Sequence, residues 1–459
     1  MYHVRQGHSQ RVLHDLHKKY GPVVRIAPNV VDLDFPGLIK TIYNTKSDYR
    51  KTEFYHGSSA KSNGKIIYNL FSECDPEVHA RQKRPIAKFY SMTGVLPLES
   101  HIDEVISYFC QRLEEGFVDG SNAGKTCKLE QWLSYYTWDV VGKATFSELI
   151  GYLQHGHDFD GTIATSDKAM DYFSLIGQLP VLDHLLDKNP VYRIGPPSFG
   201  NITNISIQHL VSRRQGKETS AHDPSKPDFL DRFIDAAAKH PDVVDDAQII
   251  SYLMINMIAG ADTTAIALTA ALYFSLRSRS VWTRLQQEIP ALQGSVVPYH
   301  TATSYPYLTA VIREAMRMHP GVSMTLERYV PVEGLTLPTG QYIPQGCIVG
   351  MNPYVVARNR SIWGEDAEVF RPERWLRDPR ESEDEYQARL RLMNASDLAF
   401  GAGSRVCIGK NLGMLEVYKV MATLVSRFEI ELVDACEWKT HNSFFVRQEG
   451  VNVRISRRE

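Results

Sequence analysis

Residues 252–276 form a long, mostly apolar stretch with an aspartate near its middle, Asp262, followed by Thr263 and Thr264. Its length would suit a membrane span. An aspartate at the centre of a span, however, costs about 2.5–3.5 kcal/mol on insertion scales. A helix apolar on every side can instead be buried in a large water-soluble core. We therefore read this segment as a central core helix, and its aspartate as a functional clue rather than a packing residue.

The flanking sequence agrees with a helical core. Helical periodicity runs through 102–117, 129–146 and 247–276, while strand-like alternation is confined to three places. These are 22–35, with a Pro28-Asn29 turn; 323–352, punctuated by Pro and Gly; and the C-terminal hairpin region, 428–433 and 443–455. Residues 213–227 are polar and turn-rich, so a solvent-exposed, mobile loop is expected there. The expectation is a mainly α fold with a small β region (α+β), forming one domain over residues 1–459.

Composition narrows the function. The formal net charge is −2, which leaves no basic footprint for nucleic acid. Six cysteines (74, 110, 127, 347, 407 and 436) are scattered without a Cys-x-x-Cys pair. That spacing argues against a disulfide framework or a structural zinc site.

Cys407 has unusual company. It lies in Phe400-Gly401-Ala402-Gly403-Ser404-Arg405-Val406-Cys407-Ile408-Gly409. A lone cysteine is usually a small buried hydrophobe, but glycines on both sides permit backbone turns closed to other residues and clear space beside the sulfur. Arg405 offers a planar fork that suits carboxylates. A thiolate with open space and a carboxylate-binding arginine beside it is what an iron porphyrin with propionate arms requires. Nucleotide-binding readings fail on spacing: Val406 stands where a dinucleotide fingerprint needs a small residue, and Lys410 is followed by Asn411 rather than Ser or Thr.

A second constellation, Ala259-Gly260-Ala261-Asp262-Thr263-Thr264, lies within the apolar helix. Small residues at 259–261 are expected to leave a notch. Ala259 and Thr263, four apart, share a face, and a helical threonine can hydrogen-bond a carbonyl three or four residues back. Close helix packing is the plain alternative for Gly260.

The motif Phe-x-x-Gly-x-Arg-x-Cys-x-Gly closely resembles the haem-binding loop of the cytochrome P450 family, and the resemblance extends over essentially the whole chain. It implies the family's haem-thiolate monooxygenase fold, with the long central helix over the haem and Cys407 as the proximal iron ligand. Phe400, Gly401, Arg405 and Gly409 would belong to the cofactor-binding loop. The family's Ala/Gly-Gly-x-Asp/Glu-Thr motif maps onto the central helix. By resemblance Ala259 lies against the haem, Thr263 holds bound oxygen and a water, and Asp262 relays protons from solvent. Positioned proton transfer of this kind is worth about 10²–10⁴ in rate.

Glu314-Ala315-Met316-Arg317 matches the family's Glu-x-x-Arg motif, and Phe370-Arg371-Pro372-Glu373-Arg374-Trp375 resembles its Pro-Glu-Arg-Phe segment, with Trp375 for the final phenylalanine. The resemblance makes Glu314, Arg317 and Arg374 a buried structural network. Propionate partners would be Arg405 and Arg328, with His79 and Lys83 standing where the family has Trp-x-x-x-Arg. Lysine offsets a carboxylate's charge but cannot grip it with two parallel bonds, and Arg84 is an alternative to Lys83.

Substrate contacts are expected from 66–71, Ile255, Asn256, 322–326 and 443–445, an apolar set suited to a lipophilic small molecule. Electrons would come from NADPH through a separate NADPH–cytochrome P450 reductase, which could dock on a positive patch of Arg84, Lys88, Lys410 and Lys419. The cofactor would be haem b, iron protoporphyrin IX. Residues 13–29 look like filamentous-fungal members, many of which act in secondary metabolism. Such proteins carry an N-terminal membrane helix before this point, so the expectation is an endoplasmic-reticulum protein facing the cytosol, whose anchor this chain lacks. The favoured reaction is hydroxylation with one oxygen atom from dioxygen. A haem-thiolate isomerase or peroxygenase, and a non-catalytic haem ligand sensor, are the alternatives; an intact acid–alcohol pair counts against both.

Overall fold

A computed structural model describes residues 1–46, 48–62, 65–196, 199–217, 222–292, 294–433 and 437–458. Helices dominate. The central one, Asp246–Arg277, starts where the Asp245 carboxylate accepts the Gln248 N–H at 2.8 Å, satisfying a donor the first turn leaves open. It packs most extensively on Leu129–Phe146 and also against Gly200–Arg214, Phe229–Lys239, Pro306–Met318 and Lys410–Arg427. Tyr252, Leu253, Leu268, Leu272 and their neighbours lie in the largest apolar cluster. The helix is long and apolar enough to cross a membrane, and most of its apolar window is enclosed by the other helices.

The β region is assembled from distant parts of the chain. One sheet has the order Val23–Ala27, Val30–Leu33, Ile348–Gly350, Arg328–Tyr329, and its second and third strands run parallel. A second joins Phe428–Leu432, Asn452–Arg457 and Cys127–Lys128. The strands Lys439–Ser443 and Phe445–Glu449 form a hairpin. This is a mainly α architecture with a small β component.

Two expectations need correction. Arg213 and Arg214 are not loop residues: they end the Gly200–Arg214 helix, and the nearly buried Arg213 side chain pairs with Asp228 at 3.0 Å and Asp231 at 2.5 Å. The Asp228 carboxylate caps the next helix, so the polar sequence here holds two helices together. Residues 218–221 of the expected loop, and Cys436, lie outside the described residues. Lys419, expected on a docking patch, is fully buried between Glu99 (2.5 Å) and Asp103 (2.7 Å).

Candidate active site

The Cys407 loop is held by its own backbone. The Cys407 N–H donates to Phe400 O at 2.9 Å, and the N–H groups of Gly409 and Lys410 point at the sulfur. Three residues on, the helix Lys410–Arg427 begins, so the thiol sits at the positive end of a helix dipole. Gly403 is required for close approach: its φ is +65°, and a Cβ there would lie 2.0 Å from Tyr43 O. Gly401 also has φ +67° but meets nothing nearer than Arg405 O at 3.8 Å.

Among the described cysteines Cys407 alone is exposed. Burial nevertheless pushes its pKa up, against the pull of the two backbone N–H groups. Both hold together only if the sulfur opens onto a space walled by protein rather than onto bulk water.

Cations gather beside that space. Burial, together with Arg328, lowers the Arg405 pKa to about 10; burial, Arg405, Lys83 and Lys51 lower that of His79 to about 3, so its ring is neutral near pH 7. Lys83 is likewise lowered by burial and by Arg405. Among the described residues no carboxylate lies in ion-pair range of Lys51, Lys83, Arg328 or Arg405. Arg405 donates instead to Glu73 O at 2.7 Å and to Cys74 O and Asp75 O at 3.4 Å, and Lys83 to Ser404 O at 3.1 Å. Lys83 is half-buried against the cysteine loop, while Arg84 is exposed. A sulfur facing a walled space, next to cations that lack anions, fits a metal-bearing group with two carboxylates.

On the central helix, Thr263 Oγ1 donates to Ala259 O at 2.8 Å, the i−4 bond its spacing allows. Gly260 faces the neighbouring helix, where a Cβ would come 3.0 Å from Val141, and Ala261 is buried. The small residues therefore divide their work: Gly260 permits helix packing, and only Ala259 and Thr263 are left for a notch. A Cβ on Gly413, in the helix that follows the cysteine loop, would come 3.5 Å from Thr264 Oγ1, so the two constellations meet at one helix pair.

Asp262 accepts from Ser166 Oγ at 2.5 Å and from Trp138 Nε1 at 3.1 Å, contacts that no sequence motif announces. Burial raises its pKa to about 6, with Asp167 adding repulsion, while the Ser166 and Trp138 bonds and the Arg447 charge pull the other way. Asp167 itself pairs with Arg447 at 2.7 Å on the C-terminal hairpin.

Glu314, Arg317 and Arg374 come together. Glu314 is fully buried and accepts from Arg317 Nε and Nη2 (2.9 and 2.8 Å) and from Arg374 Nε at 3.3 Å. Trp375, in the place of phenylalanine, adds a bond from Nε1 at 2.9 Å. The expected substrate contacts separate into two groups. Phe71, Val322, Met324, Phe444 and Phe445 cluster with Phe54, Tyr55 and Phe173. Asn256 instead turns into the core, bonded to Tyr90 and Thr145, and Thr325 bonds Asp32.

Comparison with known proteins agrees with this arrangement. The family model described as cytochrome P450 matches residues 1–453. The cytochrome P450 monooxygenase cfoH of Aspergillus candidus is 49% identical, the alignment covering 100% of this chain and 86% of that protein. The cytochrome P450 monooxygenase cicH of Emericella nidulans is 34% identical over 99% of this chain and 90% of its own length. The cytochrome P450 monooxygenase mpaDE of Penicillium roqueforti is 34% identical over 99% of this chain, which matches 53% of that longer protein.

Proposed function

The chain belongs to the cytochrome P450 family and is a haem monooxygenase, and from that premise we propose that it hydroxylates a lipophilic small molecule in fungal secondary metabolism. Electrons would come from NADPH through a separate cytochrome P450 reductase, with the enzyme on the cytosolic face of the endoplasmic reticulum. The observation that carries the reading is the exposed Cys407 sulfur, whose pKa the surrounding protein nevertheless pushes up, beside cations that find only carbonyl oxygens and no carboxylate among the described residues.

The group that fits is haem b, which when bound supplies the iron at which dioxygen is activated. Cys407 would hold that iron through its thiolate, stabilised by the N–H groups of Gly409 and Lys410. Arg328 and Arg405 would take the propionates, with Lys83 as a point charge and neutral His79 as packing against the rim. Phe400, Gly401 and Gly409 would shape the cysteine side of the space, and Ala259 the helix side.

Thr263 keeps its hydroxyl hydrogen on Ala259 O, leaving its oxygen free to accept from a water. Asp262, with a pKa of about 6, takes up and gives off protons near neutral pH. Trp138 and Ser166 hold its carboxylate in one orientation. Positioned transfer through this pair is worth about 10²–10⁴ in rate.

Turnover with isotopically labelled dioxygen, NADPH and a reductase tests the proposal, using a panel of lipophilic metabolites chosen by binding spectra. The product should carry one labelled oxygen. A product without label from dioxygen would end the hydroxylation reading.

A further inference from the structure

The cation with the least explanation is Lys51. No motif contains it. It reaches the site because its backbone bridges that of Arg328, from the other end of the sequence. The residue is 5% exposed. Nζ donates to Phe71 O at 2.5 Å and lies over the faces of Tyr55 and Phe71, 3.6 and 4.2 Å from their centroids. An ammonium has three donors, and ring faces neutralise it only in part.

Among the described residues no carboxylate lies in ion-pair range of the Lys51 amine. Its charged neighbours Arg328 and Arg405 both repel it. Burial pushes the adjacent Cys74 thiol up to about 11, so it is no anion at neutral pH. The Glu327 carboxylate accepts from Thr52 Oγ1 at 2.7 Å and that of Glu53 from the Tyr329 hydroxyl, and neither lies in ion-pair range of the Lys51 amine. Burial and the two guanidinium groups push the Lys51 pKa well down, so the cradle by itself favours the neutral amine, and an anion joining the three groups would restore its charge.

The chain also has a deficit that Lys51 would fill. Where the family pattern has an arginine, Lys83 stands and donates to Ser404 O. We propose that Lys51 is a carboxylate-binding residue of the cradle beside Cys407, gripping a porphyrin propionate in place of that arginine. The inference rests on the haem reading above. The same chemistry would serve a substrate carboxylate, and the test separates the two sources.

The probes are iron protoporphyrin IX and its dimethyl ester, whose arms carry no charge. Both would be loaded into wild type, Lys51→Met and Lys51→Arg, and transfer of porphyrin to excess apomyoglobin timed. Methionine keeps the stem over the rings, and Lys51→Gln replaces it if the methionine variant does not fold. Lys51→Met should release iron protoporphyrin IX roughly tenfold faster than wild type, the loss of one charge-assisted bond. Lys51→Arg should behave as wild type, and the ester should leave all three alike. If porphyrin release is unchanged but Lys51→Met loses binding of laurate and not of methyl laurate, the carboxylate belongs to substrate and the chemistry stands. A difference that persists with the ester, or no difference with any probe, overturns the assignment. Wild type that takes up no iron porphyrin would overturn the haem reading, and this inference with it.

Discussion

Replacing Glu314 by alanine should remove the anion at the centre of the most deeply buried ion network in the described structure. Glu314 accepts five N–H bonds: two from Arg317, one from Arg374, one from the Trp375 indole and one from the Arg371 backbone at 3.0 Å. Arg374 would keep a partner, Asp366 at 2.9 Å, whose pKa is held at about 2 against the upward push of burial, by Arg374 and Arg371. Arg317 would not. It retains bonds to Ala357 O, Ala367 O and Val369 O, but no counter-charge, at 2% side-chain exposure.

Stranding one partner of a buried pair costs about 3–5 kcal/mol, and the orphaned indole N–H places the loss toward the upper end. Total stability is of order 5–15 kcal/mol, so a third or more should disappear. With a urea dependence of about 3 kcal/mol per molar, the unfolding midpoint followed by far-UV circular dichroism should fall by about 1.3–1.7 M. Purified Glu314→Ala should also be haem-free. Trp375→Phe, which removes only the indole bond, should cost about 1.5–3 kcal/mol. A soluble Glu314→Ala protein with full haem content and an unchanged midpoint would refute the reasoning.

Thr263→Ala should keep haem but divert electrons to peroxide; unchanged coupling of NADPH consumption to product would contradict the role given to Thr263. Delivering protons requires the acid form of Asp262, so kcat should fall as pH rises through about 6. Asp262→Asn should flatten that profile and slow turnover by about 10²–10⁴. Ser166→Ala removes a bond that pulls the pKa down, so the inflection should move above 6. Gly403→Ala should abolish haem incorporation, because its Cβ meets backbone. Gly401→Ala should cost only the roughly 1–2 kcal/mol of left-handed strain, and equal haem content in the two variants would count against the loop geometry.

Local rules made much of this legible. The 129–146 helix, the paired strands around Pro28-Asn29 and the Thr263-to-Ala259 bond follow from periodicity, turn chemistry and i−4 spacing, all written within a few residues of each other. The Glu314 network was legible only because its members match motifs at fixed positions. What escaped depends on contacts between distant segments. Lys51 meets Arg328 through a strand bridge, Ser166 and Trp138 reach Asp262 from two other helices, and Arg213 finds Asp228 from the end of the preceding helix. None of these pairs has a spacing signature. Asn256 shows the opposite error: one turn from Ala259 on the helix, it points to Tyr90 and Thr145 rather than into a pocket.

Carbon monoxide binding to the reduced protein tests the central claim most directly, because it reports the ligand that Cys407 provides. Wild type should give the long-wavelength Soret band of a thiolate-ligated haem, and Cys407→His should lose it while still binding haem. A wild-type spectrum with the shorter-wavelength band of a histidine- or thiol-ligated haem, or a thiolate band that survives in Cys407→His, would contradict the assignment of Cys407 as the iron ligand.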